Sequence, residues 1–228
     1  MQNSNVELML YGEDVADDTV SIAKGDVSVK HSQALDSENY LFVTLDTSNV
    51  SAQELVIRLT DSDGTTRDFT YTLEKRAQGS ASREGFGPQD AIYLIAPDRY
   101  ANGNVENDNV KGYGDPADRS FKGGRHGGDI QGIVDNLNYI QDMGFTQIWT
   151  MPMLENAMDK YSYHGYSTTD YYKIDPRFGS NDDFIALSTE AKSKGLGIIM
   201  DMVLNHIGSN HLWMKDPPSH DWINNNGK

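Results

Sequence analysis

The residues best suited by type and spacing to do chemistry are Asp201, Asn205 and His206, in the stretch Gly195-Leu-Gly-Ile-Ile-Met-Asp201-Met-Val-Leu-Asn205-His206. Leu196, Ile198, Ile199 and Met200 form a short apolar run after a glycine, the pattern of a buried strand. Polarity arrives only at its far end. Folds that mix strands and helices put their chemistry outside the carboxyl ends of the strands. A carboxylate, an amide and an imidazole there can bind and orient a polar ligand. A core strand running into a polar loop gives the same spacing, so both readings stay open.

Two further groups join this one. Tyr161-Ser-Tyr163-His164-Gly-Tyr166-Ser-Thr-Thr-Asp170-Tyr-Tyr172 crowds aromatics, a histidine and an aspartate into one loop. Aromatic faces take up apolar ring surfaces, and sugars offer CH faces together with hydroxyls. An aromatic core cluster competes with that reading, although His164 and Asp170 are costly to bury unpaired. A zinc pair from His164 and His206 lacks a spaced third ligand, and the amide-rich surroundings favour a hard cation instead. The other group is Asp98-Arg-Tyr-Ala-Asn102-Gly-Asn104-Val-Glu-Asn107-Asp108. Calcium takes six to eight oxygen ligands. Asn102, Asn104, Asn107 and Asp108 can supply some of them, and Gly127 and Asp129 can close the shell. The EF-hand pattern is not met, and an Asn/Gly-rich turn without metal is the alternative.

The elements that must position these groups fall into two parts. Residues 1–75 read as all-β: 6–11, 27–29, 40–45, 55–60 and 69–73 are short β-prone runs, with the turn cluster Asp61-Ser-Asp-Gly64 between the last two. A β-sandwich of immunoglobulin-like type is expected, with His31 in a solvated loop. Residues 76–90 are rich in Gly and small polar residues and read as a linker. Residues 91–228 alternate strand and helix. Strands are expected at 91–96, 145–150 and 196–200. One helix is expected from Ile130 past Ile133, Leu137 and Ile140 to a stop at Gly144, and another from Asn181 to Lys194 with Ser180 as N-cap and Gly195 as C′ residue. That order predicts right-handed βα units on a parallel sheet. Loops as long as those after the first two strands usually serve a function.

Composition narrows the partners. The chain has 228 residues and a formal net charge of −15. No long basic run is present, which argues against nucleic acid or an anionic membrane as the main partner. No apolar run approaches the roughly 20 residues of a membrane span, so membrane insertion is not expected. The absence of cysteine excludes disulfides and thiolate metal sites. No signal peptide is visible.

Taken together, the motifs resemble those of the α-amylase superfamily, glycoside hydrolase family 13. Asp201-Met-Val-Leu-Asn205-His206 resembles that family's Asp-x-x-x-Asn-His region. His164-Gly-Tyr166 followed by Thr169-Asp170-Tyr171-Tyr172 resembles its segment after the second barrel strand, and 92–99 its first strand ending in Asp-Arg. Asn102, Asn104, Asn107 and Asp108 with Gly127 and Asp129 are similar to the calcium site of the neopullulanase and cyclomaltodextrinase branch, where the second position is commonly Asp. The β-rich leader is similar to that branch's N-terminal domain. The resemblance implies the first three βα units of a (β/α)8 barrel, a Ca2+ cofactor and retaining cleavage of α-1,4 or α-1,6-glucosidic bonds in cyclodextrins, pullulan, starch or maltooligosaccharides. By the same resemblance, Tyr166 stacks on the sugar at the point of cleavage, His164 and His206 hydrogen-bond its hydroxyls, and Asp201 orients that cluster. Asn205 is a calcium ligand in many α-amylases and a structural residue elsewhere in the family.

The departure from the family pattern is as informative. Its nucleophile Asp, acid Glu and stabilising Asp lie on later strands, and no credible substitute stands in this sequence. The chain is therefore expected to be an N-terminal fragment, inactive by itself, with those carboxylates beyond Lys228. A non-catalytic glucan-binding member of the superfamily is the alternative. The resemblance also implies a homodimer through the N-terminal domain. A periplasmic or secreted location is expected from the acidic, cysteine-free composition and a polymer-derived substrate, with the cytoplasm as the alternative.

Overall fold

The computed structural model describes residues 4–224, and they divide into two compact units. One comprises the residues up to Glu84 together with those from Asp216 onward; the other is Gly85–Lys215.

The first unit is built from β1 (Asn5–Tyr11), β2 (Thr19–Lys24), β3 (Ser28–Ala34), β4 (Tyr40–Asp46), β5 (Gln53–Thr60) and β6 (Thr66–Leu73). They form two three-stranded antiparallel sheets, in the orders β1-β4-β3 and β2-β5-β6. Period-2 alternation sends Leu41, Val43 and Leu45 of one sheet and Leu55, Ile57 and Leu59 of the other into a shared core, as a sandwich requires. The turn after Asp61 closes the hairpin of β5 and β6 as expected, with Asp61 Oδ1 accepting from the Asp63 N–H at 2.6 Å. Two details differ from expectation. His31 is not in a loop but on β3, beside a bulge and exposed. β2 was not anticipated, because Val20 and Ile22 are its only large apolar residues and both are half-buried.

Residues from Asp216 onward were expected in the α/β part. In the structure the described residues 216–224 dock on the sandwich. The Asp216 carboxylate accepts from Ser37 Oγ at 2.7 Å and Asn39 Nδ2 at 2.8 Å. Its carbonyl accepts from Tyr40 Oη at 2.9 Å, and the Pro218 carbonyl accepts from the N–H groups of Asp36 and Ser37. Burial, and then the Asp216 charge, push the Tyr40 phenol up to about 12. These are polar contacts with a loop far away in sequence, which no local periodicity reports.

The second unit carries β7 (Ile92–Ile95), β8 (Gln147–Thr150) and β11 (Gly197–Met200) in one parallel sheet, ordered β11-β8-β7 and in register at Ile95, Thr150 and Met200. A short hairpin, β9 (Leu154–Glu155) with β10 (Asp170–Ile174), lies within the loop after β8. A four-residue helix, α1 (Pro97–Tyr100), follows β7 directly. Helix α4 (Asn181–Ser193) starts as expected: Ser180 and Asp183 form a reciprocal capping box, and Gly195 follows the helix at φ +75°.

The other expected helix is broken in two, α2 (Ile130–Asp135) and α3 (Leu137–Asp142). Asn136 sits between them at φ −109° and ψ 10°, and its Nδ2 donates to the Gly132 carbonyl at 2.8 Å. An Asn amide competes for backbone partners in this way and ends a helix that apolar spacing alone would continue. Ile133, Leu137, Ile140, Leu187 and Ala191 pack with Ile95 and Ile148 into the core. The opposite face of the sheet is open: Leu94 and Trp149, in register with each other, are exposed. Among the described residues no helix is long and apolar enough to cross a membrane.

Candidate functional site

The sheet delivers Asp201 directly after β11, where its Oδ2 accepts two hydrogen bonds. One comes from the Tyr166 hydroxyl at 3.1 Å, the other from Trp149 Nε1 at 3.2 Å. Tyr166 belongs to the long loop after β8, and Trp149 to β8 itself. One carboxylate oxygen thus gathers a strand end, a neighbouring strand and a loop. Burial, and then the Asp201 hydrogen bond, raise the Tyr166 phenol above its ordinary range, so it stays a donor at neutral pH.

The two imidazoles are held in defined tautomers. His164 Nδ1 accepts the Tyr166 N–H at 2.9 Å, so that nitrogen carries no proton. Burial lowers the His164 pKa against a weaker opposing pull from Asp115. The neutral ring therefore keeps its proton on Nε2, a donor with no hydrogen-bond partner among the described residues. His206 Nε2 lies 2.8 Å from the Tyr166 carbonyl, which can only accept, so this nitrogen donates. Nδ1 is then the acceptor facing Asn205 Nδ2 at 3.3 Å. His206 thus braces the Tyr166 backbone, while His164 offers a free donor. The Tyr171 hydroxyl donates to the Val203 carbonyl at 2.6 Å, tethering the loop after β11.

The same unit holds a buried ion pair. Arg177 makes two bonds to the Asp175 carboxylate, Nε to Oδ1 at 2.9 Å and NH2 to Oδ2 at 2.8 Å, with both side chains about 1% exposed or less. Burial alone would raise the Asp175 carboxyl; the Arg177 contacts, the Arg125 charge and the Asn156 N–H together outweigh it and hold it below its usual range. Arg177 also donates to the carbonyls of Gly114 and Asn156, joining the loop after β7 to the loop after β8.

The expected calcium ligands divide in two. Asn102 Nδ2 donates to Asp108 Oδ1 at 2.7 Å, and Gly127 closes over that pair at φ +84°. A Cβ at residue 127 would lie 2.7 Å from Asn102 Nδ2 and 2.8 Å from Asp108 Cγ, so any side chain would fill this space. Asn102 Oδ1 and Asn107 Oδ1 are buried with no hydrogen-bond partner, which is costly for an amide oxygen unless a cation or water meets it. Asn104 and Asp129 do other work. Asn104 Oδ1 accepts from the Glu106 N–H at 3.1 Å, capping a short turn. Asp129 Oδ1 accepts from Gly103 and Gly132, and its Oδ2 from Asn104. Orphaned amide oxygens beside a carboxylate and a glycine cradle fit a hard oxygen-seeking cation. Groups of three or more His, Asp or Glu arranged for a metal are absent among the described residues, so amide and backbone oxygens would have to dominate the shell.

His164, Tyr166, Asp201 and His206 are therefore brought together. Sequence reasoning missed Trp149 and gave Asp98 no role of its own. The signal for Trp149 is its place one residue from Ile148 and Thr150, which puts it on the face away from the helices. Asp98 is buried just after β7 and accepts from the N–H groups of His126 and Gly127, tying the end of its loop back to the strand. Asp216 and Asp221, the last carboxylates of the chain, lie in the sandwich unit.

Comparison with known proteins bears on what this arrangement is. The family model described as "Alpha amylase, catalytic domain" matches residues 94–226. The chain belongs to the α-amylase family. A second model, "Cyclomaltodextrinase, N-terminal", matches residues 1–77. A cyclomaltodextrinase from Thermoanaerobacter pseudethanolicus is 38% identical over 128 residues, 55% of this chain and 21% of that protein. Neopullulanase 2 from Thermoactinomyces vulgaris is 33% identical over 150 residues, 65% of this chain and 25% of that protein. Among solved structures, an Anoxybacillus α-amylase superposes with a TM-score of 0.51 at 44% identity, covering 56% of this chain and 26% of that one. The chain spans about a quarter or less of the length of these relatives. As an α-amylase family chain, it combines a sandwich-like N-terminal domain with the start of the catalytic domain.

Proposed function

We propose that this chain is the glucan-recognising part of a retaining α-glucosidic hydrolase of the cyclomaltodextrinase or neopullulanase kind. The observation that carries the reading is the Asp201 hub, with Tyr166 and Trp149 on one carboxylate oxygen and the His164 ring 5.9 Å from that of Tyr166. A tyrosine ring held in place by its own hydroxyl suits the apolar face of a glucosyl unit, and a neutral imidazole N–H suits its hydroxyls. Positioning of this sort contributes to catalysis by fixing the bond to be cleaved against the reacting groups. Retaining cleavage needs two carboxyl groups about 5–5.5 Å apart. We assign these, with the stabilising carboxylate, to further chain beyond Lys228. Asp201 is committed to orienting Tyr166, and Asp175 to Arg177.

A calcium ion belongs to the same proposal. Asn102, Asn107, Asp108 and the Gly127 cradle would hold it, with Asn104 and Asp129 fixing the surrounding backbone. When bound, it would stiffen the loop after β7.

The test is to assay this 228-residue chain and the product of a longer reading frame on β-cyclodextrin, pullulan and maltoheptaose, following the anomeric form of the product by NMR. The expected result is no turnover by the chain alone and release of the α-anomer by the longer product. Turnover by the 228-residue chain, or a longer product without α-glucan hydrolysis, overturns the reading. In the second case, retained binding of maltoheptaose would assign a glucan-binding role instead.

A further inference from the structure

We propose that Phe121 and Tyr161 form an outer platform that binds a glucosyl unit of an α-glucan chain extending away from the His164–Tyr166 cluster; this rests on the reading above. Both rings are exposed, Phe121 at 45% and Tyr161 at 51%. Single exposed aromatics are ordinary on protein surfaces. These two are a pair, with ring centroids 6.0 Å apart, and the backbone beneath them is built to hold them out.

Three local features fix the pair. Gly123 lies under both rings: a Cβ there would sit 2.8 Å from Tyr161 Cδ1 and 2.9 Å from Phe121 Cε1, so a larger residue would push both aside. Tyr161 itself has φ 58° and ψ 22°, a left-handed conformation that a bulky residue seldom adopts and that costs free energy unless its surroundings impose it. The imposing contact is next door, where the Ser162 N–H and Oγ both donate to Asp115 Oδ2 at 2.8 Å. On the other side, the Gly124 N–H returns to the Phe121 carbonyl at 3.0 Å, and the Asp118 carboxylate accepts from the Ser120 N–H and hydroxyl.

The platform is continuous with the candidate site. Arg99 packs its guanidinium over the Tyr163 ring at 4.1 Å and donates from NH2 to the Lys122 carbonyl at 2.9 Å. Tyr163 in turn meets His164 edge-on at 5.5 Å. The residue after Phe121 and the second residue after Tyr161 are thus bolted together by Arg99, and that strut ends on His164. Phe121 offers no polar atom, so what it receives must present an apolar face, and continuity with a sugar-binding cluster makes that face the CH side of a pyranose ring. Rings already held in place lose little freedom on binding, which favours affinity.

The experiment compares maltoheptaose with maltotriose in the longer hydrolase product and in its Phe121→Ala, Tyr161→Gly and Gly123→Ala variants. Tyr161→Gly removes the ring while relieving the positive φ, so folding is not at risk there. The expected result is a roughly fivefold or larger rise in KM for maltoheptaose, with kcat and maltotriose kinetics unchanged, and recovery in Tyr161→Phe. Equal effects on both substrates, or none on either, overturn the platform while leaving the hydrolase reading intact. Absence of turnover on every α-glucan by the unmutated protein removes the hydrolase reading on which the platform depends.

Discussion

Tyr166 and Asp201, 35 residues apart in sequence, meet through one hydrogen bond of 3.1 Å from the phenol to Oδ2. Trp149 Nε1 reaches the same oxygen at 3.2 Å. The bond fixes the angle of the Tyr166 ring against the end of β11, and the ring is the surface we assign to the sugar.

Loss of that bond should separate orientation from stacking. Tyr166→Phe keeps the ring and removes its tether, and Asp201 keeps Trp149 as a partner. A hydrogen bond to a charged group contributes about 1.5–3 kcal/mol, so maltoheptaose affinity should fall moderately in Tyr166→Phe. It should fall much further in Tyr166→Ala, where the stacking face goes as well. Calorimetric titration of both variants checks this, and equal losses would count against a stacking role.

The Asp175–Arg177 pair should be among the most sensitive points of the α/β unit. Both groups are buried, so truncating one leaves the other charge uncompensated. Arg177→Ala is expected to destabilise by about 3–5 kcal/mol. Arg177→Lys should recover only part of this, since an ammonium cannot make the two-pronged contact with Asp175 while reaching the Gly114 and Asn156 carbonyls. Urea unfolding midpoints decide it.

Calcium should raise the thermal midpoint of the protein, and a chelator should lower it again. Asn104→Asp retains the cap on the Glu106 N–H, which either side chain can make, and adds a negative charge to the loop that carries the orphaned oxygens of Asn102 and Asn107. The half-saturating calcium concentration should therefore drop in Asn104→Asp and rise in Asn107→Leu. A midpoint indifferent to calcium in all three proteins would dispose of the site.

Acidification should weaken the α/β unit. Burial, against weaker pulls from Asp115 and Asp170 respectively, lowers the pKa of His164 and of His211 in the folded state. The unfolded chain then binds more protons below pH about 6.5, and stability declines as pH falls through that region. The sandwich unit carries the opposite dependence. His220 donates its N–H to Asp36 Oδ2 at 2.7 Å and sets its ring nitrogen against the same oxygen. That contact raises the His220 pKa, so its contribution is present below pH about 6.5 and is lost as pH rises through the raised value. Both groups are exposed, so salt should erase this second effect and spare the first. Thermal midpoints from pH 5 to 8, at low and high salt, in wild type and His220→Gln, separate the two.

The sequence by itself determined whatever depends on neighbours along the chain. Alternating apolar residues set five of the six sandwich strands, the Ser180–Asp183 box and Gly195 set the ends of α4, and the apolar run before Asp201 set the third parallel strand. Motif order placed His164, Tyr166, Asp201 and His206 at strand ends and thereby made the family legible. Tertiary structure decided what depends on groups distant in the chain. Trp149 shares an oxygen with Tyr166 only because β8 pairs with β11, and His206 spends both ring nitrogens on Tyr166 and Asn205, leaving His164 as the free donor. Asn136 ends a helix by an amide contact that apolar spacing cannot register, and Asp216 joins the sandwich through Ser37, Asn39 and Tyr40. The physical division is one of range. Backbone propensity and solvent exclusion act residue by residue and leave a periodic trace, whereas the partner of a buried polar group is fixed only when the folded chain brings it within about 3 Å.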